Sequence, residues 1–258
     1  MNELLKRETV KPGLARLTLN RPEAFNSLSE AMLVAIKTEL DAIAKDDSVK
    51  VVILAGAGKA FCAGHDLKEM RAAPSQDYYE GLFKQCSEVM LGIQRLPQVV
   101  IAQVEGVATA AGCQLVAMCD LAVAADSAKF AVSGVNLGLF CSTPSVALSR
   151  NIGRKEAMYM LTTGEFISAI QARDWGLVNE VTPKEAVTQA TEALADKILK
   201  KPAPALRMGK RLFYEQIETN IARAYELAGQ TMACNMMDDT ALEGVQAFID
   251  KRAPNWQR

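Results

Sequence analysis

The sequence predicts an α/β fold. Three observations carry that expectation: short β-rich runs alternate with amphipathic helices through the first half, the second half reads almost entirely as helix, and two apolar strands each run into a loop of small residues. Gly13–Leu19 alternates apolar and polar residues and ends at Asn20-Arg21-Pro22, so it reads as a strand. Ser29 then caps a helix whose Leu33, Ile36, Leu40 and Ile43 share one face. Val49–Ala55 is a buried strand, and residues 56–66 form a glycine-bearing loop. Leu82, Val89, Met90, Ile93 and Leu96 mark a helix closed by Pro97, and Val99–Val104 is the next strand. Residues 105–112 form the second small-residue loop, 112–118 a helix and Leu121–Ala125 another strand.

Further on, Thr182-Pro183-Lys184-Glu185 has the capping-box pattern with proline at the first helical position. The helix it opens is expected to reach about Lys200. Lys201-Pro202-Ala203-Pro204 is the clearest break, placing a boundary between residues 1–200 and 201–258. Beyond it, Ile221, Tyr225, Ala228 and Met232 lie on one helical stripe, and 239–252 is a last helix. A tail of this size is expected to pack on the first unit or on a neighbouring subunit rather than to fold alone.

Composition excludes several function classes. The 29 basic and 30 acidic residues nearly cancel, so the cationic excess of a nucleic-acid-binding face is missing. The longest apolar stretch, residues 115–125, is broken by Asp120 and is too short to span a bilayer. The first thirteen residues are charged throughout without an apolar core, so the expected location is the cytoplasm. Six cysteines at irregular spacing, with no C-x-x-C pair, read as reduced and mostly buried. One histidine, His65, is the sole imidazole for a nucleophile–histidine site, and a zinc site of common type is not expected. Gly56-Ala57-Gly58 lacks the third glycine of a dinucleotide fingerprint, and Gly58-Lys59 is followed by alanine where a Walker loop has Ser or Thr.

The two loops remain. Residues 60–67 (AFCAGHDL) and 106–114 (GVATAAGCQ) each follow a buried strand, where α/β proteins bind ligands, and their small side chains let a ligand reach the backbone. Pattern alone leaves open whether these are tight turns or a binding site.

Together with residues 20–28 (NRPEAFNSL), 59–70 (KAFCAGHDLKEM), 104–115 (VEGVATAAGCQL), 118–121, Phe130, Gly138, 163–165, 168–169, 176–178 and 248–252 (FIDKR), these loops make the chain resemble the crotonase superfamily, the enoyl-CoA hydratase/isomerase family, over nearly its whole length. The resemblance implies a ββα spiral core followed by a C-terminal α-helical trimerisation region, assembled as a homotrimer or a dimer of trimers. It implies an acyl-CoA thioester as ligand, with coenzyme A part of the substrate and no metal or redox cofactor. The backbone N–H groups of His65 and Ala111 would form the oxyanion hole. Ala24, Ala63, Asp66, Leu67 and Lys68 would line the coenzyme A site, with Phe248 and Lys251 contributed across a subunit interface.

Hydratases of this family use two glutamates. The resemblance places them at 114 and, twenty residues on, at 134, where this chain has Gln114 and Gly134. An amide orients water but cannot take its proton, and positioned proton transfer contributes typically ~10²–10⁴ in rate. The expectations are therefore an acyl-CoA enzyme that relies mainly on its oxyanion hole, for thioester enolisation, decarboxylation of a malonyl-type thioester or slow hydrolysis; a hydratase with a relocated acid–base group; or an acyl-CoA-binding pseudoenzyme or sensor. Restoring both glutamates is expected to raise hydration if the cavity is otherwise intact. Ser142 or Thr143 is expected to cap a helix that carries Pro144 in its first turn.

Overall fold

A computed structural model describes residues 4–72 and 74–256. Strands are β1 (Leu5–Lys11), β2 (Gly13–Leu19), β3 (Val49–Gly56), β4 (Ala60–Cys62), β5 (Val99–Val104), β6 (Val107–Thr109), β7 (Leu121–Ala125), β8 (Lys129–Ala131), β9 (Ile167–Ser168) and β10 (Glu180–Thr182). Helices are α1 (Glu30–Ile43), α2 (Leu67–Ala72), α3 (Gln76–Arg95), α4 (Ala111–Met118), α5 (Ser142–Asn151), α6 (Arg154–Thr163), α7 (Ala169–Asp174), α8 (Val187–Leu199), α9 (Ala203–Ile217), α10 (Ile221–Met236) and α11 (Asp239–Ile249).

The strands form a six-stranded sheet, β1-β2-β3-β5-β7-β10, and a four-stranded sheet, β4-β6-β8-β9. Three times in succession a strand of the large sheet is followed by a strand of the small one and then by helix: β3-β4-α2, β5-β6-α4 and β7-β8-α5. Within this repeat the strands pair in parallel (β3 with β5, β5 with β7, β4 with β6, β6 with β8), giving the ββα spiral. Parallel strands covered on both faces must be apolar throughout. Accordingly Leu17, Val52, Leu54, Val100 and Ala102 face the main core, while Leu14, Val51, Ile53, Ile101 and Val123 face α8 through Val187 and Ala195.

Several sequence expectations change. The two small-residue loops contain β4 and β6, paired Ala60 to Val107 and Cys62 to Ala108; three-residue strands carry no periodicity to read. The charged β1 is an edge strand, antiparallel to β2, that needs little apolar surface. The capping box at Thr182 does not form: Thr182 is committed to the β10–β7 ladder opposite Ala125, a 3-10 turn follows over Lys184–Ala186, and α8 starts at Val187. A capping box stands instead at Ser168 and Gln171. Helix α5 begins at Ser142 after Cys141, with no side-chain cap from Ser142 or Thr143.

Helix α9 is fastened to the core by a buried polar cluster. Lys210 Nζ lies 2.6 Å from Asp120 Oδ2 and donates to the carbonyls of Ile93 at 3.0 Å and Gln98 at 2.9 Å. The Tyr214 hydroxyl donates to Asp120 Oδ1 at 2.8 Å and Val100 N–H to Oδ2 at 2.7 Å. Burial pulls the Lys210 pKa below the ordinary lysine value, with Asp120 opposing. In α10 the expected stripe turns outward: Ile221, Tyr225 and Met232 are exposed and Ala228 is half-buried.

Candidate active site

The two small-residue turns pack backbone against backbone. A Cβ on Gly112 would stand 2.0 Å from the Cys62 carbonyl oxygen, and one on Gly106 would stand 2.0 Å from that of Lys59. Gly64 adopts φ +91°, and a Cβ there would meet Ala110 Cβ at 2.9 Å and Ala111 N at 3.4 Å. Only glycine fits such approaches, and they set the turn ending at His65 beside the N-terminus of α4.

Ala110 holds φ 50°, ψ −120° just before α4, a conformation L residues avoid at a cost of about 1–3 kcal/mol. It is held there by its N–H donating to Ala131 O and its carbonyl accepting from Gln114 N–H, each at 3.0 Å. The turn at His65 is held from the other side: Leu28 N–H donates to Gly64 O at 2.7 Å, and Asp66 N–H to Leu28 O at 3.2 Å. Among the described residues, neither the His65 nor the Ala111 backbone N–H meets a protein acceptor. Two unengaged amides thus stand at one close approach of two turns.

A model of the enoyl-CoA hydratase/isomerase family matches residues 9–258. The rat protein named enoyl-CoA hydratase domain-containing protein 3, mitochondrial, is 44% identical over 244 residues, covering 95% of this chain and 81% of its own. A crystal structure of an enoyl-CoA hydratase from Mycobacterium smegmatis superposes with a TM-score of 0.98 at 62% identity, covering 100% of both chains. That of human enoyl coenzyme A hydratase domain-containing protein 3 gives 0.95 at 42% identity, covering 98% of this chain and 100% of that one. The chain belongs to the enoyl-CoA hydratase/isomerase family.

Within that family framework, Gln114 sits in the first turn of α4, 4% exposed, and its Oε1 has no hydrogen-bond partner. Gly134 follows β8 at the same edge, where Thr109 Oγ1 and Ser133 Oγ lie 3.0 Å apart. The Gly134 N–H donates to Cys141 Sγ at 3.3 Å. A Cβ on Gly134 would meet Leu139 O at 2.4 Å and Cys141 Sγ at 2.7 Å. This corrects the expectation that a glutamate could simply be restored at 134: the space is filled by residues 139–141.

The His65 ring contributes differently from its amide. Both ring nitrogens are buried without a partner, and the ring meets Phe83 edge-on at 5.6 Å. Burial lowers its pKa below the ordinary value, opposed by the Leu28 carbonyl. Asp66 is mainly a loop brace. It pairs with Arg21 at 2.8 Å and caps α2 by accepting from Lys68 N–H at 3.0 Å and Glu69 N–H at 3.3 Å. Burial would raise its pKa, but the Arg21 guanidinium and those amides hold it below the usual aspartate value.

Ala24 and Ala63 are half-buried in neighbouring segments, tied by the Ala63 N–H donating to Phe25 O at 3.0 Å, while Leu67 and Lys68 are exposed beside them. Sequence reading passed over Asn26, which is fully buried and binds this edge: its Nδ2 donates to Ala57 O at 2.8 Å and Ala60 O at 2.7 Å, and its Oδ1 accepts from Arg21 N–H at 2.9 Å. Its φ of 54° is the signal, since asparagine tolerates that region. Phe248 lies in the last turn of α11, which packs on α10, and is 85% exposed; Lys251 stands just beyond that helix at φ 54°.

Five cysteines are buried and free, and Cys234 is exposed. Burial pushes the Cys62, Cys86 and Cys113 thiols up to about 12, so they behave as small apolar side chains. Among the described residues no group of three or more His, Cys, Asp or Glu could hold a metal ion, and no helix is long and apolar enough to cross a membrane. A cleft of about 1340 Å³ lies away from these turns, between α3, α4, α5 and α9, bordered by Arg95, Met118, Arg150, Arg207 and Tyr214.

Proposed function

We propose that this chain binds acyl-CoA thioesters and stabilises their enolates through the His65 and Ala111 backbone N–H groups, without ordinary hydratase chemistry. The observation that carries the reading is the pair of unengaged amides at two turns pressed together by Gly64 and Gly112. Donors fixed where negative charge develops need no reorganisation, and loss of one such donor typically costs ~3–4 kcal/mol of transition-state stabilisation. Gln114 and Gly134 stand where the family's hydratase glutamates are expected. Neither ionises, and Cys141 is held protonated by burial, against the Gly134 N–H. The same feature favours a second reading, an acyl-CoA-binding pseudoenzyme or sensor.

Ala24, Ala63, Leu67 and Lys68 would line the coenzyme A path, Lys68 offering a point charge to phosphate; Asp66 would support that path through Arg21. Coenzyme A enters only as part of the substrate. A homotrimer or dimer of trimers is part of the proposal, supported by the outward apolar residues of α9–α11, including Phe213, Tyr225 and Phe248, with residues 201–258 as the assembling unit and Phe248 and Lys251 reaching a neighbouring site. The five buried free thiols suit a reducing compartment such as the cytoplasm; the rat relative's name places that protein in mitochondria.

The test is crotonyl-CoA. Loss of the conjugated thioester absorbance at an ordinary hydratase rate would overturn the proposal. Saturable thioester binding without hydration supports it, and turnover of some other thioester then separates enzyme from sensor.

A further inference from the structure

We infer that the site takes short acyl groups, acetyl to butyryl in size, and that the His65 side chain sets this limit as a specificity-determining residue. The inference rests on the thioester reading above and deepens it by naming the substrate class.

The backbone fixes where the imidazole stands. Leu28 and His65 form a parallel β-bridge, in which Leu28 N–H donates to Gly64 O and Leu28 O accepts from Asp66 N–H. These bonds use the groups on either side of His65, so its own N–H points away from Leu28. In paired backbone of this kind the side chain stands out of the plane of the hydrogen bonds. The His65 ring therefore starts next to the amide that receives the thioester oxygen, beside any acyl chain that follows the carbonyl.

That side is closed. The ring meets Phe83 of α3 edge-on, centroids 5.6 Å apart, and Phe83 stacks on Tyr79 at 6.3 Å. Tyr79 is tied in turn, its hydroxyl donating to Met70 O of α2 at 3.0 Å, so the row is braced from two helices. No water reaches either imidazole nitrogen, and neither has a partner, so the ring is wedged and does not border an open channel. The wall at Gly134 is filled as well, since Leu139 O and Cys141 Sγ take the space a Cβ there would need. A close-packed wall admits extra methylenes only by forcing side chains from their rotamers. In an open apolar pocket each added methylene strengthens binding about fourfold; here that gain ends where the chain reaches the ring.

The experiment titrates the full chain by calorimetry with acetyl-, butyryl-, hexanoyl- and octanoyl-CoA, and with S-butyl-CoA, the thioether without the carbonyl. Affinity should rise to butyryl-CoA and fall by about tenfold or more at octanoyl-CoA. His65→Ala keeps the backbone N–H and opens space against Phe83. It should shift the octanoyl-to-butyryl affinity ratio by about tenfold or more toward the longer chain, as two newly buried methylenes would give. His65→Leu refills the space without the nitrogens and should return the ratio toward that of the unaltered chain. Affinity that keeps rising through octanoyl-CoA, with butyryl-CoA preferred to S-butyl-CoA, overturns the size limit and leaves the thioester reading standing; this series decides the limit whether or not the variants fold. No preference for butyryl-CoA over the thioether removes the thioester reading, and the inference with it. A ratio unchanged by His65→Ala, in a variant whose circular dichroism matches the parent, takes the limit away from His65.

Discussion

Replacing Lys210 by methionine tests what fastens the C-terminal helices to the spiral core. The ammonium makes one ion pair and two carbonyl contacts in a buried setting. Its loss leaves the Asp120 carboxylate with the Tyr214 hydroxyl and the Val100 N–H alone, and leaves the Ile93 and Gln98 carbonyls without this donor. Breaking a buried pair from one side costs ~3–5 kcal/mol. The two donors that stay on Asp120 place this case near the lower end, at about 3 kcal/mol. For a chain of this size that corresponds to a fall in Tm of roughly 6–12 °C, read by circular dichroism and urea titration at one fixed protein concentration. The double variant Asp120→Asn/Lys210→Met should be less damaged than the two single losses added together, because no buried charge is stranded. A single-variant loss below about 1 kcal/mol, or strict additivity, would refute the role given to this cluster.

Other consequences are equally direct. Ala110→Gly removes the positive-φ strain before α4, so it should be neutral or stabilising by about 1 kcal/mol in urea, against the usual loss for alanine to glycine. Gly134→Glu should sharply lower Tm and give no hydratase even with Gln114→Glu, because residues 139–141 occupy the space for its Cβ; crotonyl-CoA turnover by that double variant would contradict this. The folded pKa of His65 is depressed, so its unfolded form binds protons more readily. Its contribution is full above the ordinary value of 6.5 and is lost as pH falls from there through the lower folded value. As the chain's only histidine, it should account for the stability slope just below that pH, and His65→Leu should flatten it in urea titrations across the range. Asp66→Asn should cost about 1–2 kcal/mol through the Arg21 pair and the α2 cap, measured by the urea midpoint.

The amino-acid sequence by itself determined the long elements. Strand β2 was legible from period two, β3, β5 and β7 as unbroken apolar runs, and helices α1 and α3 from period 3.6, as at Leu33, Ile36, Leu40 and Ile43. The small-residue loops were legible as places where backbone must come close, though not why. Tertiary structure supplied the reason: Gly106 and Gly112 meet carbonyls some fifty positions earlier in the chain, a contact no local window contains. It also decided that Thr182 belongs to a ladder and not to a cap, since a β-pairing formed across the sheet outweighs one side-chain hydrogen bond. The stripe of Ile221, Tyr225 and Met232 shows the same limit. Periodicity identifies an apolar face, but which way that face turns depends on what the rest of the molecule places beside it.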